Sequence, residues 1–173
     1  IFLPGVDDEF STGVWYHVAM NKIEIIGVGD LKFKGLKELE QDYLKKIKYF
    51  IKIAIRNIRD IKSPDDALKK KKEGEIIANQ LTPQDYVIAL DEHGKQMNSM
   101  KFATLLENKL NTHPHRIVFL VGGHAGLSPT LDKHINLKLS FSAMTFPHDF
   151  FRVLFLEQLY RAFTIIKKIK YHR

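Results

Sequence analysis

The chain of 173 residues contains no cysteine. Disulfides and thiolate metal sites are therefore excluded, and a reducing, cytoplasmic compartment suits the composition. No apolar run approaches the roughly 20 residues of a membrane span, so no membrane partner is expected. Phosphate-binding patterns are missing too. Neither Gly27-Val28-Gly29 nor Gly122–Gly126 completes G-x-G-x-x-G, and G-x-x-x-x-G-K-[ST] does not occur. A dinucleotide or P-loop site has little support. The eight histidines are scattered, with no H-x-x-x-H or H-E-x-x-H spacing, so no metal site is expected. Ser128 lacks the G-x-S-x-G elbow of a hydrolase.

The first nineteen residues also lack Lys and Arg, although they hold Asp7, Asp8 and Glu9. Residues 1–19 read as an upstream or extraneous segment, and residues 20–173 as a single domain. That domain carries the whole cationic excess of the chain, whose net charge is +7. A basic domain of this size suits a polyanionic partner, nucleic acid first, with a merely soluble basic protein as the alternative. The apolar share of 45% is ordinary for a globular fold with a real core.

Along the chain, strands alternate with helices. Lys22–Gly29 is β-branched and reads as a first strand. Leu36, Leu39, Tyr43, Leu44 and Ile47 mark a helix. Ile51, Ile53 and Ile55 alternate with polar or small residues, giving a half-buried second strand. Residues 59–66 form a loop, and Ala67–Gln80 a helix interrupted by Gly74. Tyr86–Leu90 is a short apolar run of the parallel-sheet type. Asp91–Gly94 reads as a turn, and Ser99 as the cap of a helix carrying Phe102, Leu105, Leu106 and Leu110. Arg116–Val121 and Leu137–Phe141 read as strands. Ser128-Pro129 has the form of a short helix start.

A long helix then runs from Pro147, placed at its first position, to about Lys168. Its residues Phe150, Phe151, Leu154, Tyr160 and Phe163 predict an apolar face for a core or a subunit interface. The sum is an α/β domain: a Rossmann-like, mainly parallel sheet with helices on both faces.

In open α/β sheets, ligands bind at the carboxyl ends of the strands. Leu90–Gly94, Gly122–Gly126 and Phe141–Phe146 sit there. Lys69–Lys72 reads first as solvated surface, with phosphate contact as the alternative. Lys167, Lys168, Lys170, His172 and Arg173, interleaved with Tyr171, suit either the negative end of a helix dipole or an RNA-contacting tail.

Several motifs then fall in order: Val121-Gly122-Gly123 with Gly126-Leu127; Leu139-Ser140-Phe141-Ser142 with Met144-Thr145-Phe146-Pro147-His148; Arg152-Val153; Glu157–Ala162; and Tyr171-His172. With them, residues 20–173 resemble the large-subunit ribosomal RNA methyltransferase H (RlmH) family of SPOUT methyltransferases. The resemblance implies a C-terminal trefoil knot that holds S-adenosylmethionine. Its contacts would be Leu90, Gly122, Gly123, Phe141, Ser142, Ala143, Met144, Thr145 and Phe146. It also implies a homodimer that methylates N3 of a pseudouridine in large-subunit RNA on the assembled ribosome, with the active site at the dimer interface. His124 and Ala125 depart from the family's usual small or polar residues.

Within that expectation, His172 and His148 are candidate proton acceptors, and Arg152 and Arg161 candidate stabilisers of the developing anion. Tyr171, His172 and Arg173 match the family's substrate-side tail, with Lys168 and Lys170 beside them. The rivals are a non-catalytic, basic RNA-binding α/β module and a nucleotide-using Rossmann-like enzyme.

Overall fold

The computed structural model describes residues 22–171. The expected extension at 1–19 and the tail residues His172 and Arg173 lie outside the described residues.

Five strands form one wholly parallel sheet. They are β1 (Lys22–Val28), β2 (Lys52–Ile58), β3 (Tyr86–Gln96), β4 (Ile117–Val121) and β5 (Leu137–Ser140), in the order β2-β1-β4-β3-β5. The helices are α1 (Lys34–Ile47), α2 (Asp66–Ala78), α3 (Ser99–Thr112) and α4 (His148–Ile166), with a 3-10 helix at Pro129–His134. β4 is central and buried throughout, as its run of apolar residues requires.

Alternation along the strands divides the core. Ile23, Ile25, Ile117, Phe119, Val121 and Ile88 meet α1, α3 and α4 on one face through Ile47, Phe102, Leu106, Phe155 and Leu159. Ile26, Val28, Val118, Leu120 and Val87 meet Ile77 of α2 and Leu131 of the 3-10 helix on the other.

At the amino ends of the strands the buried Glu24 accepts from Arg56 Nε at 2.8 Å and from Arg116 Nη1 at 2.6 Å. Arg116 also donates to Asp85 and to the Gln80 carbonyl. These arginines neutralise internal carboxylates, so a polyanion would have to be met by other cations of the chain.

The structure revises several local expectations. Gly74 does not interrupt α2. A Cβ there would stand 2.5 Å from Ser128 Cβ, so the glycine lets the helix lie directly on the segment after β4. Asn98, not Ser99, caps α3: its side chain accepts from Lys101 N, while Ser99 Oγ donates to Gln158 Oε1 of α4. Asp91–Gly94 is no free turn. β3 runs through it, and both Leu90 and Lys95 pair with Leu139, so the residues between form a bulge. Pro147 is the cap of α4 rather than its first residue.

The buried face of α4 also differs from the expected one. It is made by Val153, Phe155, Leu156, Leu159, Ala162 and Phe163. Of the residues expected to bury together, only Phe163 does so; Phe151, Leu154 and Tyr160 are half-buried and Phe150 is 51% exposed. α4 thus buries one apolar face and leaves part of a second uncovered.

Candidate active site

The carboxyl ends of β3, β4 and β5 open into a cavity of about 690 Å³. A volume of this size holds a small-molecule ligand or cofactor. One wall comes from Leu90 and the bulge residues Asp91, Glu92 and His93. A second comes from Val121 and the loop Gly122–Leu127, and a third from Phe141, Ser142, Met144, Thr145, Phe146 and Pro147. His148 and Phe151 of α4 complete it, with Lys70 reaching in from α2.

Each wall is fixed by its own chemistry. The loop after β4 doubles back: Gly126 N donates to the Gly123 carbonyl at 2.9 Å. A Cβ on Gly122 would stand 2.8 Å from the Gly126 carbonyl carbon and 2.9 Å from Leu127 N, so only glycine permits the turn. The loop after β5 is anchored by rings. Phe141 contacts Phe102, Phe151 and Phe155, and Phe146 stacks on Phe151 at 6.1 Å. Ser142 Oγ accepts from Met144 N at 2.9 Å, turning the chain. Thr145 Oγ1 donates to Glu92 Oε2 at 3.1 Å and ties this loop to the bulge.

His148 stands where α4 meets the sheet. Burial lowers its pKa, and the nearby Arg152 cation lowers it further, which favours the neutral ring. The Asp149 carboxylate opposes this, as does backbone hydrogen bonding at Val28 and Gly122, which both N–H groups can make only in the charged ring. The histidine therefore fastens the first turn of α4 to β1 and to the glycine loop.

The residues expected at a cofactor site converge. Leu90, Gly122, Gly123, Phe141, Ser142, Met144, Thr145 and Phe146 all line the cavity, and Ala143 is the exposed member of the same loop. Of the expected catalytic residues that are described, His148 lines the cavity and Arg152 and Tyr171 do not; His172 lies outside the described residues. Arg152 is buried, with Nε 2.7 Å from Glu40 Oε1 and Nη1 donating to the Gly29 carbonyl and Asn57 Oδ1.

Tyr171 lies beyond the far end of α4. Its hydroxyl donates to Glu157 Oε1 at 3.2 Å, and the Arg161 guanidinium lies over its ring at 4.9 Å. Burial, reinforced by Glu157, pushes the phenol up to about 12. Arg161 pairs with Glu157 at 2.6 Å. Lys168 and Lys170 are exposed.

Sequence reasoning selected the right loops, Leu90–Gly94 among them, but missed Phe151 and Lys70 as walls. The packing of α4 and the approach of α2 bring these two in, and neither has a periodic signal. Among the described residues no group of three His, Asp or Glu is placed to hold a metal ion, and no helix is long and apolar enough to cross a membrane.

The family model described as "Predicted SPOUT methyltransferase" matches residues 21–172. The chain is 40% identical over 153 residues to a protein of Flavobacterium psychrophilum named ribosomal RNA large subunit methyltransferase H; the match covers 87% of this chain and 98% of that one. A protein of the same name from Clostridium botulinum is 43% identical over 157 residues, with 87% and 99% covered. The fold is similar to that of a probable methyltransferase from Bordetella pertussis Tohama I, with TM-score 0.50 and 11% identity over 85% of this chain and 96% of that one. With the parallel sheet, the glycine loop and the aromatic loop in place, the chain belongs to the ribosomal RNA large subunit methyltransferase H family of the SPOUT methyltransferases.

Proposed function

We propose that this enzyme transfers a methyl group from S-adenosylmethionine to N3 of a pseudouridine in large-subunit ribosomal RNA. It acts on the assembled ribosome, in the cytoplasm, as a homodimer with a trefoil-knotted C-terminal half. The observation that carries the reading is the cavity at the carboxyl ends of β3, β4 and β5, walled by the loops whose sequence matches the family. The residues present fit the cofactor. The backbone-lined cradle at Gly122 would be blocked by any Cβ, and the cavity volume of about 690 Å³ suits a ligand of that size. Leu90, Gly122, Gly123 and the loop Phe141–Phe146 would hold it.

When bound, S-adenosylmethionine supplies an electrophilic methyl carbon. The protein must orient the nucleobase and favour loss of its N3 proton. Tyr171 keeps its own proton at neutral pH, as a phenol does, and donates it to Glu157 Oε1, so its ring acts as a stacking surface. Arg152 is committed to Glu40 and positions α4. Burial favours the neutral form of His148, which sits in the first turn of α4 beside the glycine loop, so its part is to hold the pocket's shape. His172 is then the remaining candidate acceptor, with Arg161, Lys168, Lys170 and Arg173 on the RNA side.

Arg161 follows His148 by thirteen residues on one continuous helix, about 20 Å along its axis. One chain therefore does not bring its own Arg161 and Tyr171 to its own cavity. A second copy seated on the uncovered apolar residues of α4, Phe150 and Leu154 among them, would supply them.

The test is transfer of labelled methyl from S-adenosylmethionine to ribosomes lacking the modification, with free large-subunit RNA alongside. Label on the ribosomal pseudouridine is expected. Absence of both label and cofactor binding would overturn the reading in favour of a non-catalytic RNA-binding module.

A further inference from the structure

The four consecutive lysines of α2, Lys69 to Lys72, have three different fates. Lys69 pairs with Asp60 at 2.7 Å. Lys71 and Lys72 are exposed. Lys70 is half-buried and lines the cavity. Its Nζ lies 3.9 Å from where a Cβ on Gly126 would stand. It is also the only Lys or Arg among the cavity's described walls. The cause is Gly74, one turn further along α2. Its missing side chain lets the helix settle on Ser128, and that contact carries Lys70 to the rim of the Gly122–Leu127 loop.

The wall that follows β3 carries the carboxylates of Asp91 and Glu92. The cavity lining therefore holds two acidic side chains, Asp91 and Glu92, and one lysine, Lys70. S-adenosylmethionine has the complementary set at neutral pH: a sulfonium, an ammonium and a carboxylate. No ion-pair partner for Lys70 occurs among the described residues, so its charge is free for a ligand.

We propose that Lys70 binds the carboxylate of S-adenosylmethionine, making α2, which lies on the opposite face of the sheet from α4, part of the cofactor site. The proposal rests on the cofactor reading above. A charge-assisted hydrogen bond at a partly hydrated rim is worth about a tenfold change in affinity.

The experiment is calorimetric binding to the full chain of three ligands: S-adenosylmethionine, its decarboxylated analogue, which keeps both cations, and 5′-methylthioadenosine, which lacks the whole amino-acid portion. Lys70→Met should weaken S-adenosylmethionine about tenfold. It should leave methylthioadenosine unchanged and the decarboxylated analogue unchanged or tighter. Lys70→Arg should recover most of the loss, and Lys71→Met should have no effect. Equal weakening of all three ligands would overturn the proposal, since it would mark a disturbed pocket. Unchanged cofactor affinity with weakened RNA binding would overturn it too, placing Lys70 on a phosphate. If the unsubstituted protein binds none of the three, the cofactor reading itself fails.

Discussion

Arg152 of α4 and Glu40 of α1 form an ion pair in the interior, with Nε 2.7 Å from Oε1 and the arginine side chain 1% exposed. Burial raises the Glu40 pKa, and the arginine opposes that rise. The same guanidinium reaches the Gly29 carbonyl and Asn57 Oδ1, so it joins α4 to α1 and to the carboxyl ends of β1 and β2. Arg152→Met should destabilise the fold by about 3–5 kcal/mol, because it strands a buried carboxylate. Adding Glu40→Met should recover much of that loss. Denaturant unfolding of the single and double variants checks this. A single substitution that leaves stability intact but abolishes methyl transfer would instead make Arg152 catalytic.

Glu73, buried in α2, has one oxygen bonded to Ile61 N at 3.1 Å and another without a hydrogen-bond partner. Burial raises its pKa above 4.5. The folded state then binds this proton more tightly than the unfolded state, so stability falls as pH rises from about 4.5 through the folded pKa. Glu73→Gln does not titrate. Its stability relative to the parent should therefore increase between pH 4.5 and pH 8, read from melting temperatures across that range.

His148 titrates in the opposite sense. Its folded pKa lies below 6.5, so its contribution is present above that value and is lost as pH falls towards the folded pKa. Protonation would place a second cation beside Arg152 and weaken the seat of α4. Cofactor affinity should decline below about pH 6.5, and His148→Gln should flatten that profile.

Gly122→Ala drives a Cβ to 2.8 Å from the Gly126 backbone, which cannot move aside as a side-chain tip would. The loop must open. We expect a stability loss of about 1–3 kcal/mol, typical of overpacking, and cofactor binding weakened at least tenfold. Calorimetric titration reads the second effect separately from the first.

Arg161→Ala removes the partner of Glu157 and the cation over Tyr171. It should abolish methyl transfer while cofactor affinity stays within about twofold, since Arg161 is no wall of the cavity. In a two-fold dimer with shared sites, mixing Gly122→Ala and Arg161→Ala chains puts one intact site in each mixed dimer. About one quarter of normal activity should return on random exchange of subunits. No recovery in verified mixed dimers would mean that each site is complete within one chain.

The alternating strands and helices were legible in the sequence because burial in a parallel sheet imposes a pattern that residue order alone displays. Ile23, Ile25, Ile117 and Phe119 show it directly. The glycine and aromatic loops were legible for a related reason. The Gly122 turn excludes every side chain, and the Phe141–Phe146 segment has a composition of its own.

What the linear order left open was every relationship made by approach between distant segments. Asp91–Gly94 carries turn residues, yet Lys95 pairs again with Leu139 and makes the segment a wall of the cavity. Gly74 reads as a helix breaker, yet its missing side chain is what seats α2 against Ser128 and brings Lys70 to the pocket. Arg152 stands among the catalytic candidates, and only the fold shows that it pairs with Glu40 in the interior. The sequence by itself determined which segments form strands, helices and tight loops, because those follow from local periodicity and steric exclusion. Only the tertiary structure decided which charges line the cavity, which neutralise one another inside, and which part of α4 stays uncovered, because these depend on distances between residues far apart in the chain.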